Sequence, residues 1–217
     1  MIIISDNKQL IILMLFLSGC SVLEEASFPR YVLSVTGEAI FGKDEFVYNQ
    51  DFIDQFPYSA INAQLSDGQN ALMVLAYVRD DVYEYVSNDG IKFYFEKGLL
   101  TSTEGLSNDI SRNLDPDYLS KILGDDSLID HFHPSGTIDF QDPRAFGLAV
   151  QAKIHRKESE FLLNGKIVKG AVITETLRFP QIKRKAKNIY WVVEKRIVKS
   201  EYSYPFNAKI NIFEVKR

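Results

Sequence analysis

The chain has 217 residues, of which 46% are hydrophobic and 25% are charged, and this composition excludes a disordered or fibrous protein. The single cysteine excludes an intrachain disulfide and a cysteine-based zinc site, and the net charge of −4 gives no reason to expect nucleic acid as a partner. Residues 1–150 carry 9 basic and 23 acidic side chains, whereas residues 151–217 carry 16 basic and 6 acidic ones. This asymmetry indicates either a surface for a charged partner or acidic and basic strands that lie side by side.

The N-terminus has the pattern of a bacterial lipoprotein signal peptide. The apolar run Leu10–Leu17 has about the length of a signal-peptide core and is too short to cross a bilayer. It leads into Leu17, Ser18, Gly19 and Cys20, which resemble a lipobox. The small side chains allow a peptidase to approach the bond before Cys20, and the thiol can take a diacylglyceryl group.

The predicted organisation follows from this pattern: a signal peptide over residues 1–19, a lipidated tether over 20–30 and a single β-rich domain over 31–217. Acyl chains contribute about 0.8 kcal/mol per buried methylene, so a triacylated cysteine would hold the protein on a membrane. Ser21 stands where an aspartate would retain a lipoprotein in the inner membrane, and this resemblance implies the outer membrane as the destination.

The first half of the domain predicts one helix followed by strands. Apolar residues at roughly helical spacing predict a short N-terminal helix over Tyr31–Phe41, and the apolar run Ala71–Val78 is typical of a strand buried on both faces. Asp89-Gly90 favours a hairpin turn, because glycine adopts positive φ at little cost. Further strands are predicted at Val82–Val86, Ile91–Phe95 and Leu99–Thr103.

Residues 105–144 predict a loop-rich insertion, because they contain several turn residues and few periodic apolar stretches. A short helix over Pro116–Leu123, capped by Asp115, is expected within it. Strands resume afterwards, with a second tight turn at Asn164-Gly165; they are predicted at Ala145–Ile154, Lys166–Arg178, Ile189–Val193, Arg196–Ser203 and Ala208–Val215. The predicted fold is therefore mainly β: one domain with a large, curved, mostly antiparallel sheet, for which a half-barrel is one form.

The chain lacks the familiar motifs of catalysis. There is no nucleophile elbow, no glycine-rich phosphate loop and no His-Glu-x-x-His sequence. His131 and His133 could form part of a metal site, but their turn-like segment favours a solvated loop, and His155 is expected on the polar side of a strand. The carboxylate pairs Asp80-Asp81 and Asp125-Asp126 are interpreted as turn residues. We therefore expect no enzyme activity, no metal and no cofactor.

One charged cluster is a candidate binding site. Lys183, Arg184, Lys185 and Lys187 lie between two predicted strands. They could form an anion site for acidic glycan or lipid head groups. The other interpretation is the solvated tip of a hairpin.

Six short segments follow one another through the mature chain: Val82–Gly90, Gly98–Leu106, Asp115-Pro116, Thr174-Glu175, Asn188–Trp191 and Lys199–Tyr202. Together, behind a lipobox, they resemble the YjbF family of group 4 capsule polysaccharide lipoproteins. The resemblance implies an outer-membrane lipoprotein encoded among genes for making or exporting surface polysaccharide, and it implies no catalytic residues. It marks nine positions without giving them a role: Thr103, Gly105, Leu106, Asp115, Glu175, Asn188, Trp191, Ser200 and Tyr202.

Two classes of function remain open. The favoured one is a non-enzymatic accessory in capsule or exopolysaccharide assembly or export, anchored in the outer membrane, facing the periplasm and contacting a surface polysaccharide or an export protein. The alternative is a periplasmic carrier for a lipid or acyl chain. An apolar concave face would favour the carrier, whereas a polar face crossed by the basic cluster would favour glycan contact.

Overall fold

The computed structural model describes residues 50–65, 68–114, 118–124, 135–163, 166–206 and 209–216. Several features predicted above lie outside these ranges: the lipobox with Cys20, the helix Tyr31–Phe41, Asp115, Asp125-Asp126, His131, His133 and Asn164-Gly165. No helix of the described residues is long and apolar enough to cross a membrane.

Twelve antiparallel strands form a closed barrel in which each strand pairs with its neighbours in the sequence. The strands are β1 Ala60–Leu65, β2 Asn70–Arg79, β3 Val82–Val86, β4 Lys92–Glu96, β5 Leu99–Glu104, β6 Ile110–Leu114, β7 Ser135–Phe140, β8 Ala145–Leu163, β9 Lys166–Phe179, β10 Arg184–Val193, β11 Arg196–Ser203 and β12 Lys209–Lys216. Within the described residues two short helices accompany them: α1 Gln50–Gln55 precedes β1, and α2 Tyr118–Leu123 lies between β6 and β7.

The mainly β, antiparallel sheet is confirmed, and it closes fully into a barrel, whereas the sequence predicted a curved sheet for which a half-barrel was one form. The first and last strands pair with each other, from Ala60 opposite Lys216 to Leu65 opposite Ile210. Closure gives the outermost strands hydrogen-bond partners, which an open sheet would leave unpaired. Local sequence patterns cannot predict pairing between residues so far apart in the chain, and the sequence therefore does not predict the closure.

The interpretation of residues 105–144 as mainly loop was wrong. This segment contains strands β6 and β7 in addition to helix α2. In β6 the inward positions are Ile110 and the buried Arg112, so a charged residue interrupts the alternation of apolar side chains. In β7 only Ile138 and Phe140 supply that alternation. The predicted helix is confirmed over Tyr118–Leu123.

The turns divide between two ends of the barrel, because consecutive strands run in opposite directions. One end, here called the mouth end, carries the β2–β3, β4–β5, β8–β9 and β10–β11 turns, helix α2, the start of β1 and the end of β12. The opposite end, here called the far end, carries the remaining connections, including the β9–β10 turn. At the mouth end Asp80 and Asp81 occupy the β2–β3 turn with positive φ, as their interpretation as turn residues requires.

The interior is filled by alternating side chains from all sides of the barrel. In β9, for example, Ile173, Leu177 and Phe179 are fully buried, whereas Thr174, Thr176 and Arg178 on the other face are not. Each such side chain contributes about 1.5–3 kcal/mol on burial. Helix α2 adds Tyr118 and Ile122 to this core from the mouth end.

Strand β2 was predicted to be buried on both faces, and this prediction is confirmed over half of its length. Ala71–Val74 are buried on both faces, but Tyr77 and Val78 near the turn are 63% and 56% exposed. The β8–β9 hairpin also extends past its neighbours, since β7 pairs with β8 only as far as Gln151 and β10 pairs with β9 only as far as Ala171. Residues 159–163 and 166–170 therefore form a hairpin arm at the mouth end.

Candidate functional site

An open cavity of about 360 Å³ lies at the mouth end of the barrel. This volume falls within the range of small-molecule binding sites. Its wall is mainly apolar and aromatic, and its members come from β1, β3, β4, α2, β11 and β12: Ile61, Tyr83, Tyr85, Phe95, Leu123, Ile197, Val198 and Ile212. We call this feature the mouth cavity.

The aromatic part of the wall is held by direct contacts. Tyr85 and Phe95 face each other across the β3–β4 pair in an edge-to-face arrangement, with ring centroids 5.5 Å apart. The Tyr85 hydroxyl also lies 3.2 Å from the Ser59 Oγ at the start of β1. The alternation Val-Tyr-Glu-Tyr-Val in β3 places Tyr83 beside Tyr85 on the same face. Aromatic faces held in this way can pack against a sugar ring or an aliphatic chain.

The rim of the mouth cavity carries an excess of positive charge. Lys97 and Lys195 stand in the β4–β5 and β10–β11 turns, both with positive φ. Arg196 forms an ion pair with Glu214, whose Oε1 lies 3.2 Å from the guanidinium. The Lys216 Nζ donates a hydrogen bond to the Asp54 carbonyl oxygen at 3.1 Å. With one carboxylate among these cations, the rim favours an anionic group.

A buried ion pair lies in the barrel interior. Arg112 of β6 and Glu175 of β9 approach to 2.8 Å, and their side chains are 1% and 0% exposed. Glu175 also accepts hydrogen bonds from the Asn188 amide at 2.6 Å and the Tyr190 hydroxyl at 2.5 Å. The Arg112 guanidinium donates a further bond to the Tyr204 hydroxyl at 3.1 Å. The pair thus links opposite sides of the barrel through a buried polar network.

The tyrosines of this network stay protonated over the ordinary pH range. Burial raises the pKa of Tyr202 to about 12, and its hydroxyl accepts a hydrogen bond from the Leu100 backbone N–H at 3.0 Å. Burial and the charge of Glu175 raise the pKa of Tyr190 well above its usual value. Burial lowers the pKa of Arg112, but its interactions with Glu175 and with Tyr204, Tyr190 and Tyr202 together raise it well above its usual value. These groups therefore serve to hold the interior together rather than to exchange protons near neutral pH.

The positions marked by the family resemblance fall in three places. Glu175, Asn188 and Tyr202 belong to the buried network, and Ser200 lies on the same face of β11 and lines the mouth cavity. Trp191 lies outside the barrel, where the Lys199 ammonium stands 4.1 Å from its ring centroid. The remaining described members, Thr103, Gly105 and Leu106, lie in the β5–β6 connection at the far end.

That connection is organised by one carboxylate. Asp109 accepts hydrogen bonds from the Thr103 hydroxyl and from the backbone N–H groups of Gly105 and Leu106, each at 3.0 Å. Gly105 has a φ of 94°, which L-residues with a side chain rarely adopt. The Thr-Ser-Thr-Glu-Gly-Leu segment is therefore a structural turn in this fold.

The basic cluster does not line the mouth cavity. Its four side chains are exposed at the far end, Lys183 in the β9–β10 turn and Arg184, Lys185 and Lys187 at the start of β10. His155 lies on the outer face of β8 beside Lys153, Thr174 and Thr176, as the polar side of a strand. Within the described ranges no three metal-binding side chains come together.

Sequence reasoning missed Arg112, Tyr190 and Tyr204 as members of the network. Arg112 falls in the segment interpreted as loop, so its position on an inward face was hidden. The sequence did contain one clue to this network. Glu175 is a carboxylate at an inward position of a strand rich in β-branched residues, and a buried carboxylate requires a cationic or hydrogen-bonding partner.

Comparison with known proteins places these features in a family. Residues 35–205 match the family described as group 4 capsule polysaccharide lipoprotein GfcB, YjbF. A relative in Escherichia coli K12, the uncharacterized lipoprotein GfcB, is 26% identical over 96 residues, which span 44% of this chain and only 42% of that relative. The crystal structure of the hypothetical lipoprotein YmcC from the same organism shares the fold, with a TM-score of 0.67 and 15% identity over 92% of this chain and 98% of YmcC.

The family match covers most of the chain and includes the buried network, the Asp109 turn and the β3 and β4 wall of the mouth cavity. The chain therefore belongs to the YjbF family of lipoproteins linked to group 4 capsule polysaccharide.

Proposed function

We propose that this protein is a non-enzymatic accessory in the assembly or export of capsule or exopolysaccharide, anchored to the outer membrane through Cys20 and facing the periplasm. The observation that carries the proposal is the mouth cavity, in which an aromatic wall lies beneath a rim of cations. Many surface polysaccharides carry acidic groups, and such a cavity can hold one sugar unit by packing while its charge meets the rim. The family supports the link to capsule.

The cellular test is deletion of the gene followed by complementation. Loss of the protein should change the amount of surface polysaccharide or its distribution between the cell and medium fractions. Complementation with the Lys97→Gln/Lys195→Gln variant should restore output only in part, because two exposed rim cations are lost. The matched control is Lys209→Gln, an exposed lysine at the far end. Unchanged polysaccharide in the deletion strain would contradict the proposed function.

The binding test uses purified protein and fragments of the host's own acidic polysaccharide. Affinity should fall for the Lys97→Gln/Lys195→Gln variant, and its dependence on salt should weaken, because screening acts over about 8 Å at physiological ionic strength. Equal affinity and equal salt dependence in the variant and the wild type would remove the rim from the mechanism.

The carrier function remains the second candidate, and the apolar wall of the mouth cavity is the observation that favours it. A carrier should bind a short fatty acid or a lysophospholipid in this cavity. Replacing Ile212 with Asp would then abolish lipid binding, because it places a carboxylate in the apolar wall. Displacement of bound lipid by polysaccharide fragments would show that the two ligands share the site, whereas binding of the fragments alone would exclude the carrier.

The membrane anchor has its own test. The Cys20→Ser variant should accumulate as an unprocessed precursor that incorporates no labelled palmitate, because the thiol that would be acylated is gone. Equal labelling of the variant and the wild type would contradict lipidation at Cys20.

A further inference from the structure

Exposed apolar side chains are concentrated at one end of the barrel. Among the residues that the structure describes, five large apolar side chains are more than half exposed. Four of them lie at the mouth end: Tyr77 at 63%, Val78 at 56%, Leu162 at 68% and Ile167 at 75%. The fifth, Phe146, is 67% exposed and lies at the start of β8, at the far end. Clustering of this kind marks an interaction surface, whereas scattered apolar residues do not.

The four side chains form two separate tips. Tyr77 and Val78 stand near the end of the β2–β3 hairpin, whereas Leu162 and Ile167 are cross-strand partners in the hairpin arm. In the ring of twelve strands, four strands separate the two hairpins on either side. The two tips therefore flank the mouth cavity from opposite sides of the barrel.

Cationic side chains accompany each tip. Arg79 follows Val78, and Lys166 and Lys169 stand on either side of Ile167. Arg79 and Lys169 are 91% and 88% exposed, and their ion pairs with acidic neighbours are long, at 3.5 and 3.8 Å. Exposed pairs of this geometry are weak, so the cations can exchange these partners for lipid phosphates. Their long side chains allow the apolar tip to be buried while the charge stays at the head groups.

The segment that precedes the first strand also lies at the mouth end. Helix α1 leads directly into the start of β1, and the Lys216 Nζ at the end of β12 contacts the Asp54 carbonyl oxygen of α1 at 3.1 Å. The expected lipid anchor at Cys20 precedes α1 in the sequence.

From these observations we infer that the mouth end docks on a lipid bilayer. The β2–β3 hairpin and the hairpin arm place their apolar tips in the interface, and the flanking cations contact the phosphates of the head groups. The mouth cavity then opens toward the membrane surface between the two tips. The inference rests on the expected anchor and on the exposed tips, and does not require a glycan ligand.

The test uses the full, lipid-anchored chain reconstituted into vesicles of phosphatidylethanolamine and phosphatidylglycerol. Ile167→Cys and Val78→Cys each introduce one cysteine, which is labelled with a polarity-sensitive fluorophore. The matched control is Phe146→Cys, since Phe146 is equally exposed but lies at the far end. The wild type, treated in the same way, sets the background from Cys20. Near-native thermal unfolding shows that each variant is folded.

Nitroxide-labelled phospholipid should quench the probes at positions 78 and 167 several-fold more than the probe at position 146, and the two tip probes should shift to shorter wavelength. Equal quenching at all three positions, or none at the tips, would overturn the inference. A protein partner at this surface would give the second result. Polysaccharide output plays no part in the measurement, so this inference and the proposed function can fail separately.

Discussion

The two ends of the barrel differ in where they concentrate charge and where they provide space. The far end carries the exposed basic cluster and the turn organised by Asp109, and it is closed by short connections. The mouth end has its cations on separate turns, and these cations surround an apolar cavity. The run of charge in the sequence therefore lies away from the mouth cavity, whereas the cavity rim consists of cations from β4–β5, β10–β11 and β12 that only the fold brings together.

The buried ion pair lies between the two ends, and removing half of it is expected to have the largest effect. Glu175→Gln leaves the Arg112 charge in the interior without its counter-charge, which should lower the free energy of unfolding by about 3–5 kcal/mol. Urea unfolding measures this loss, and hydrogen exchange at both ends shows whether they depend on the same interior.

The control for this variant is Glu201→Gln. Glu201 pairs with Lys199 at 3.1 Å on the outer face of β11, where the effect should be no more than about 1 kcal/mol. If the two substitutions destabilise the protein equally, the buried pair does not stabilise the barrel as described.

Alkaline pH should lower the free energy of unfolding through the buried tyrosines between the two ends. Tyr202 has a pKa of about 12 in the folded state, against an ordinary value of 10.0. Its stabilising contribution is therefore complete below about pH 10 and is lost as the pH rises toward 12, because the unfolded chain releases the proton first. The loss reaches about 2–3 kcal/mol for this residue. In urea unfolding, wild-type stability should decline more steeply above pH 10 than that of Tyr202→Phe; parallel declines would contradict the assignment.

At the far end, Gly105→Val should destabilise the protein by about 1–3 kcal/mol without changing ligand binding at the mouth. A β-branched residue is strained at a φ of 94°, and its Cβ would also stand 3.4 Å from the Ile91 Cα. Thermal unfolding measures the cost. Ser107→Val, an exposed position of the same turn without positive φ, is the control. Normal stability combined with lost polysaccharide output would show a functional site at this turn.

The smallest effect on stability is expected for the basic cluster. Changing Lys183, Arg184, Lys185 and Lys187 to glutamine should alter the unfolding free energy by only about 0.5 kcal/mol, since all four side chains are exposed. If the cluster contacts an acidic glycan, the variant should bind polysaccharide more weakly and with less dependence on salt. If glycans bind at the mouth cavity alone, its titration curve should match that of the wild type.

Much of the strand pattern could be predicted because alternation and turn chemistry are local. Asp89-Gly90 forms the predicted turn, with Gly90 at a φ of 84°, and strands β3, β4 and β11 lie close to their expected bounds, whereas β10 begins five residues before its predicted start. Strands β6 and β7 were not found, since in β6 the charged Arg112 occupies an inward position, where its charge is balanced by Glu175 from another strand.

The candidate site was predicted least well, because its members have no shared local pattern. Lys97, Lys195 and Glu214 come from three separate parts of the chain, and none of them stands in a motif. The family resemblance marked Ser200 and Tyr202, but it could not show that one lines a cavity and the other closes the interior. These two positions can be distinguished only once the closed barrel is known.

Closure of the ring also sets an order for folding. The seam pairs Ala60 with Lys216, so β1 has no partner on one side until residues as late as Lys216 have been made. Contacts between such distant residues form slowly, and until then the edges of β1 and β11 can pair with other chains. Loss of β12 alone would expose both edges at once. A chain truncated after Ser203 should therefore aggregate instead of folding into a smaller barrel.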